Sequence, residues 1–319
     1  MLLCCGEALI DMIPSPTLDG KTGYVPHSGG AVFNTAIGLG RLGVSVGMVT
    51  GISSDMFGQQ LSADLTASGV DTSLLITCNR PTTLAFVSLV NGQASYAFFD
   101  ENSAGRMLTP DDFPVLPESV TALYIGGISL ACDPSGEAYA SFVEAAAPDR
   151  VVMLDPNIRP DFITSPTAYR SRLDRMIARA DIVKISDEDL EWIYPDAAPM
   201  DEKVARLRAG GPSVVVLTRG SEGAVGYFGA GGKVEVAVRK VKVVDTVGAG
   251  DTFNAGVLAK LSQLDLLSKS ALTAISAEEI RDALENGAMV AAITVSRPGA
   301  DSPWQSEMLS CEPTTKDCL

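Results

Sequence analysis

Short apolar runs rich in β-branched residues recur along the chain at residues 2–5, 44–50, 122–125, 151–154, 182–185 and 214–217, with helical segments between them. A strand reads as a continuous hydrophobic stretch only when both its faces are buried. Such runs alternating with helices therefore predict a mainly parallel sheet covered on both sides. Two segments break the rhythm. Residues 13–28 are rich in Pro, Gly and Thr, and residues 82–100 contain two alternating strands, 83–90 and 94–99, around the turn Asn91-Gly92. A hairpin that does not alternate with helices predicts a small accessory sheet projecting from the main body, in the manner of a lid.

In the last third, the valines of residues 234–244 predict a strand, and Phe253, Val257, Leu258 and Leu261 recur at helical spacing. A glycine-rich turn joins the two. Ser276 and Glu279 have the spacing of a capping box and predict a final helix running to Val295. The tail after Trp304 reads as loosely held. The expected organisation is a main α/β domain from residues 1–11, 29–80 and 110–304, a small β lid from residues 12–28 and 81–109, and a tail at 305–319. A chain of 319 residues, nearly half of them hydrophobic, can bury a core of that size.

Charge narrows the possible partners. Against 24 basic residues stand 39 acidic ones, a net charge of -15, so nucleic acid or an anionic membrane would meet repulsion. An acidic protein that handles phosphate must gather positive potential locally. The six cysteines form no C-x-x-C pair and His27 is the sole histidine, which argues against a zinc cluster or disulfide framework. Residues 1–10 lack a basic leader segment, and no apolar run approaches the roughly 18 residues needed to span a bilayer. A cytoplasmic protein is expected.

The strongest chemical signal is Gly248-Ala249-Gly250-Asp251 at the start of a helix. Glycines let backbone amides converge, and the first helical turn has unpaired N–H groups and a partial positive end, so an anion finds donors there. Asp251 would repel a resting phosphate, but it suits a base that takes the proton of a hydroxyl attacking that phosphate. It could equally cap the helix. Near the other end, Gly29-Gly30 precedes a helix that carries Asn34, a residue able to exchange hydrogen bonds with a polyhydroxyl ligand or to sit buried as a structural polar group. Asp11 could accept bonds from sugar hydroxyls. Gly38-Leu39-Gly40-Arg41-Leu42-Gly43 matches a dinucleotide fingerprint, yet it ends a helix and precedes a strand, the reverse of the order that fingerprint needs. No P-loop is present, and a Ser-His-Asp hydrolase would have to use His27.

The double-Gly/Asn motif and Asp245-Thr246-Val247-Gly248-Ala249-Gly250-Asp251, in this order, resemble the two signatures of the ribokinase-like (PfkB) family of carbohydrate kinases. The resemblance extends from Leu3 to about Trp304. Gly6-Glu7-Ala8-Leu9-Ile10-Asp11 and Asp155-Pro156-Asn157-Ile158-Arg159-Pro160 are most similar to the bacterial fructokinase branch. The resemblance implies a three-layer α/β/α sandwich with a small β-sheet lid and ATP-dependent phosphorylation of a small sugar. D-fructose is the first choice, with 2-keto-3-deoxygluconate, ribose or a nucleoside as alternatives and a non-catalytic sensor as a remote one.

Carried over, the family pattern makes Asp251 the base and the amides of Gly248, Ala249 and Gly250 the anion hole. Asp11, Gly29, Gly30, Asn34 and Arg159 fall to the sugar, with Phe98 and Arg106 from the lid. Lys184, Thr218, Gly220, Ser221 and Gly223 fall to ATP. The implied metal is Mg2+. Where relatives have Asn-x-x-Glu this chain has Ser186-Asp187-Glu188-Asp189, so Asp189 stands as the residue steering Mg2+ through water, unless Ser186 and Asp189 only cap the helix. Asp245 matches the place of a monovalent cation such as K+. Aromatic residues on the lid, Tyr96, Phe98 and Phe99, serve either closure over a sugar or a homodimer contact.

Overall fold

A computed structural model describes residues 1–90 and 93–310. Along the chain run β1 (Leu2–Cys5), β2 (Leu9–Pro16), β3 (Thr22–Gly29), α1 (Ala31–Arg41), β4 (Val46–Val49), β5 (Gly51–Ser53), α2 (Met56–Ala67), β6 (Ile76–Cys78), β7 (Leu84–Val90) and β8 (Gln93–Phe99). There follow β9 (Ala122–Gly126), α3 (Ser135–Ala146), β10 (Val151–Asp155), α4 (Pro166–Ile177), β11 (Ile182–Ser186), α5 (Asp187–Ile193), α6 (Met200–Ala209) and β12 (Val214–Thr218). The chain continues through β13 (Ala224–Phe228), β14 (Gly232–Val236), α7 (Ala249–Gln263), α8 (Lys269–Thr273), α9 (Ala277–Val295) and α10 (Gln305–Ser310).

The apolar runs assemble into an eight-stranded sheet of order β14-β13-β12-β11-β10-β9-β1-β4. It is parallel from β12 to β4 and antiparallel at the β12-β13-β14 edge. Alternate residues of one strand feed opposite layers. Leu2 and Cys4 pack with Phe33, Leu61, Phe253, Val257 and Leu284 from α1, α2, α7 and α9. Leu3 and Cys5 pack with Tyr139, Leu173, Leu190 and Leu207 from α3, α4, α5 and α6. The result is helices, sheet, helices, as a strand apolar on both faces demands. No helix among the described residues is long and apolar enough to cross a membrane.

A second sheet has the order β3-β2-β7-β8. The expected hairpin is its β7-β8 half, although the Asn91-Gly92 turn lies outside the described residues. Its β2-β3 half comes from the Pro-rich segment, expected within the small β lid at residues 12–28 although no alternation predicts its strands. Prolines are tolerated there because β2 pairs with β7 only at Ile10, Asp11 and Met12, so no β7 carbonyl needs an N–H from Pro14 or Pro16, and Pro26 lies in the edge strand β3.

Two further expectations change. The strand predicted over residues 234–244 stops at Val236, where its partner runs out. Val236 pairs with Ala224, and Gly223 at φ 92 turns the neighbouring chain away, so residues 237–244 leave the sheet as irregular backbone. After Trp304 the chain forms α10, tied down by Trp304 N–H on the Glu307 carboxylate and by the Arg297–Glu307 ion pair. Residues 311–319 of the expected tail lie outside the described residues.

The glycines of the false dinucleotide fingerprint serve packing. A Cβ on Gly38 would approach Ala255 Cβ of α7 to 2.7 Å, and one on Gly40 would lie 2.2 Å from the Ser68 carbonyl. They let α1 press against its neighbours.

Candidate active site

Strands β1, β9, β10, β11 and β12 all end on one edge of the parallel sheet, and the residues that follow them gather there, as in other open α/β sheets. The glycine turn enters this edge from α7. Gly248 adopts φ 74, and a Cβ there would meet Ala300 Cβ at 2.4 Å, so the position accepts only glycine. Among the described residues, the amides of Gly250 and Asp251 have no backbone acceptor. Donors at a helix start are thus left facing the cleft, the condition for an anion site.

Asp251 occupies the first turn of α7 and accepts a 2.9 Å hydrogen bond from Asn34 Nδ2 of α1. One residue on, the Thr35 hydroxyl donates to the Asp251 carbonyl at 3.0 Å. The two motifs from opposite ends of the chain therefore meet. Desolvation pushes the Asp251 carboxyl up to about 7; the Asn34 bond and Lys184 pull against this, while Asp155 and Glu7 add to it. A carboxylate poised near neutrality is the property a general base needs.

Asp11 meets the backbone that leads into α1. Its carboxylate occupies the space that Gly29 leaves open, since a Cβ on Gly29 would lie 2.3 Å from Asp11 Oδ2. Burial raises its carboxyl to about 6. Gly30, at φ 108, starts α1 hard against the Glu7 backbone. Glu7 fastens the loop after β1: its carboxylate accepts from Ala31 N–H at 3.1 Å and from the Ser129 hydroxyl at 3.0 Å.

On the other side, Lys184 Nζ pairs with Asp155 Oδ2 at 3.0 Å, and Asn254 Nδ2 donates to the same oxygen at 2.7 Å. The Lys184 ammonium stands 3.5 Å from where a Cβ on Gly250 would be. Ser186 caps α5 by accepting the Asp189 N–H, but the Asp189 carboxylate does not reciprocate and takes the Ile158 N–H at 3.1 Å instead. Burial, then Asp155, raise Asp189 to about 6. Asp245 holds two loops together, accepting Val247 N–H at 3.0 Å and Gly299 N–H at 2.9 Å.

The nucleotide candidates flank the end of β12. The Thr218 hydroxyl reaches the Ile185 carbonyl, Gly220 and Gly223 take φ 50 and 92, and Ser221 is exposed in the turn between them. Arg159 is exposed and donates to its own loop carbonyls at Asn157 and Ile158. Arg106 is committed to both oxygens of Asp100 at 3.0 and 2.9 Å. Side chains of the small sheet reach this edge. Phe98 meets Phe162 edge-on with ring centroids 4.1 Å apart, and Tyr96 is close enough for Asp11, Arg159 and Asp245 to perturb its hydroxyl, after burial as the main cause.

No group of three or more His, Cys, Asp or Glu side chains among the described residues is arranged to hold a metal. The single hard carboxylates present, Asp189 and Asp251, suit an ion that keeps most of its shell as water and ligand phosphate, the habit of Mg2+.

Residues 1–307 match the pfkB family carbohydrate kinase family. The chain belongs to that family. A fructokinase of Rhizobium leguminosarum bv. trifolii is 49% identical to this kinase over 282 residues, covering 88% of this chain and 86% of the relative. Among solved structures, a fructokinase of Xylella fastidiosa with bound ATP superimposes with a TM-score of 0.88 at 29% identity, covering 97% of each chain. A fructokinase of Vibrio cholerae O395 bound to fructose, ADP and calcium gives a TM-score of 0.81 at 26% identity over 94% of each chain. The architecture of this kinase is thus the one its motifs led us to expect.

Sequence reasoning missed Glu7, Tyr124, Asp155 and Asn254 as parts of the site. Two left a readable sign. Asn254 follows Asp251 by three positions on one helix, which places both on nearly the same face. Asp155 is the first charge after an apolar strand, where an α/β sheet presents its chemistry. Tyr124 lies inside a buried strand and left none.

Proposed function

We propose that the protein is an ATP-dependent fructokinase, transferring the γ-phosphoryl of ATP to the primary hydroxyl of D-fructose to give fructose 6-phosphate and ADP. The observation that carries this reading is the Asp251 carboxylate, raised to about 7 at the start of α7, beside a turn whose amides face the cleft. A pure binding loop has no use for an anion there. The likeness to fructokinases over most of the chain supports fructose as the acceptor.

In this reading the sugar lies between the sheet edge and the small sheet. Asp11 and Asn34 bind its hydroxyls, Gly29 and Gly30 let it approach the backbone, and Phe98 covers one side. Arg159 borders the transferring group, while Arg106 shapes the base of the small sheet through Asp100. ATP lies along Lys184, Thr218, Gly220, Ser221 and Gly223, with its terminal phosphate at the Gly248–Gly250 turn, where the Gly250 amide is free and the Ala249 amide donates at 3.3 Å to the Thr246 carbonyl. Asp251 takes the proton of the primary hydroxyl as its oxygen attacks phosphorus in line. Asp189 would steer Mg2+ through water, and the bound ion would supply charge neutralisation for the transferring group. For a monovalent cation such as K+, Asp245 holds the two loops that would surround it. Closure of the small sheet as a lid over the sugar would keep water from accepting the phosphoryl group.

The outer face of the small sheet carries Tyr24, Phe86 and Phe99 in edge-to-face contact, with Tyr24 and Phe99 exposed. An exposed apolar sheet face of this kind supports a homodimer formed through it. Phe99→Glu should convert a dimer to a monomer by light scattering. Buried free thiols at Cys4 and Cys5 and the need for ATP support a cytoplasmic site of action.

The test of the reaction is ADP release measured with fructose, ribose, 2-keto-3-deoxygluconate, glucose and nucleosides. Fructose should give the highest kcat/KM. Absence of acceptor-dependent release with every one of them would sink the kinase reading, and preference for another acceptor would replace fructose.

A further inference from the structure

Behind the glycine turn lies a polar cluster sealed from solvent. Asp155, at the end of β10, is 1% exposed and Lys184 of the adjacent strand β11 is 5% exposed. Asn254, wholly buried on α7, joins them by donating to Asp155 Oδ2 at 2.7 Å and to the Tyr124 hydroxyl at 3.0 Å. Burying a carboxylate and an ammonium together rarely gains stability over an apolar pair of the same size, so this arrangement is better explained by what it holds in place. What it holds is the Lys184 ammonium, fixed 3.5 Å from the bare face of Gly250 at the phosphate turn.

A lysine on a flexible four-carbon stem does not stay there unaided. Asp251 and Asp189 both feel the Lys184 charge, and either could draw it away. Asp155 supplies the competing anchor. The cluster is not a closed structural knot, because Asp155 Oδ1 and Asn254 Oδ1 have no hydrogen-bond partner among the described residues.

We propose that Asp155 is a positioning residue for phosphoryl transfer: with Asn254 it anchors the Lys184 ammonium at the Gly250 turn, where Lys184 meets the oxygens of the transferring group. This rests on the kinase reading above. In the step itself, the bond from the γ-phosphorus to the bridging oxygen of ADP breaks, and that oxygen keeps the electron pair. A bond forms from phosphorus to the acceptor oxygen, whose proton passes to Asp251. Lys184 keeps its own proton throughout and stabilises charge spread over the equatorial oxygens. A fixed cation helps most where that charge is developing, so its loss is felt in kcat rather than in sugar binding.

The experiment compares wild type, Asp155→Asn, Lys184→Met and the double variant in steady-state turnover with fructose and MgATP, alongside thermal melts. Each single substitution is expected to lower kcat about 100-fold, with the fructose KM within about threefold. The double variant should be no slower than Lys184→Met alone, because Asp155 acts through Lys184. A kcat within about threefold of wild type for Asp155→Asn, or losses that multiply in the double variant, would overturn the inference. Should Asp155→Asn fail to fold, Asn254→Ala leaves the charge pair intact. It is expected to lower kcat about tenfold in the wild-type background and not at all in Lys184→Met, and an equal loss in both backgrounds overturns the anchoring role. A wild-type enzyme inactive on every sugar overturns the kinase reading and the anchor with it, whereas an active wild type with active variants overturns the anchor alone.

Discussion

Replacing Asp251 by Asn separates two effects of one carboxylate. In the folded protein the group is held from 3.8 up to about 7, chiefly by desolvation. That shift of roughly three units corresponds to about 4 kcal/mol of disfavoured charge, at about 1.4 kcal/mol per unit. An Asn amide at this position must itself be desolvated, which offsets about half of this and leaves a net gain of about 2 kcal/mol. Because the folded pKa is raised, the folded state holds its proton where the unfolded chain has lost it. The cost begins near pH 4, grows as pH rises, and is fully present above pH 7. Asn removes the charge and can still accept from Asn34. The variant should therefore melt about 3 °C higher than wild type at pH 8, with about half that gain at pH 5.5, while kcat falls by orders of magnitude. Differential scanning calorimetry at both pH values, with ADP release on the same samples, makes the comparison. An Asn variant less stable than wild type at pH 8, or a gain of equal size at both pH values, would falsify the desolvation argument. Wild-type turnover would remove Asp251 as the base.

The same carboxylate sets the pH profile: kcat/KM should rise about tenfold per unit below pH 7 and level off above it, and a flat profile from pH 5.5 to 8 would contradict a base of this pKa. Gly248→Ala places a Cβ 2.4 Å from Ala300 Cβ at a positive φ, so turnover should fall more than about 100-fold and stability by about 2 kcal/mol, read by kinetics and urea melts. Gly29→Ala forces the Asp11 carboxylate aside and should raise the fructose KM about tenfold with the ATP KM unchanged; equal effects on both would take Asp11 out of the sugar site. Phe162→Ala removes the ring against which Phe98 rests, and sugar-independent ATP hydrolysis should increase severalfold as the small sheet seals less well.

Periodicity carried the large sheet, because strands buried on both faces and helices with one apolar stripe announce themselves locally. It did not carry the β2-β3 hairpin. Pro14, Pro16 and Pro26 are strand residues only by virtue of where their neighbours end, which is a property of the assembled sheet. The strand predicted through residue 244 failed for the same reason, since valines can favour extended backbone but cannot supply a partner beyond Ala224. In the site, Gly248 to Asp251 and Gly29 to Asn34 were legible because a backbone requirement forces their residue types. Asp155 and Asn254 were legible only as a strand end and a helix face, and Tyr124 not at all, because what they do together arises only when two strands and a helix bring them into contact.

The glycines at positions 38 and 40 that imitate a nucleotide fingerprint have a kinetic corollary. By locking α1 onto its neighbours they make Asn34 and Asp251 parts of one rigid unit within the main body. In the proposed reaction the base then needs no movement of the small sheet to be in place. Opening and closing can be fast, loose or altered by mutation without disturbing that alignment. Under the proposed mechanism, changes of acceptor preference can therefore accumulate in the small sheet while the α1–α7 pair stays as it is.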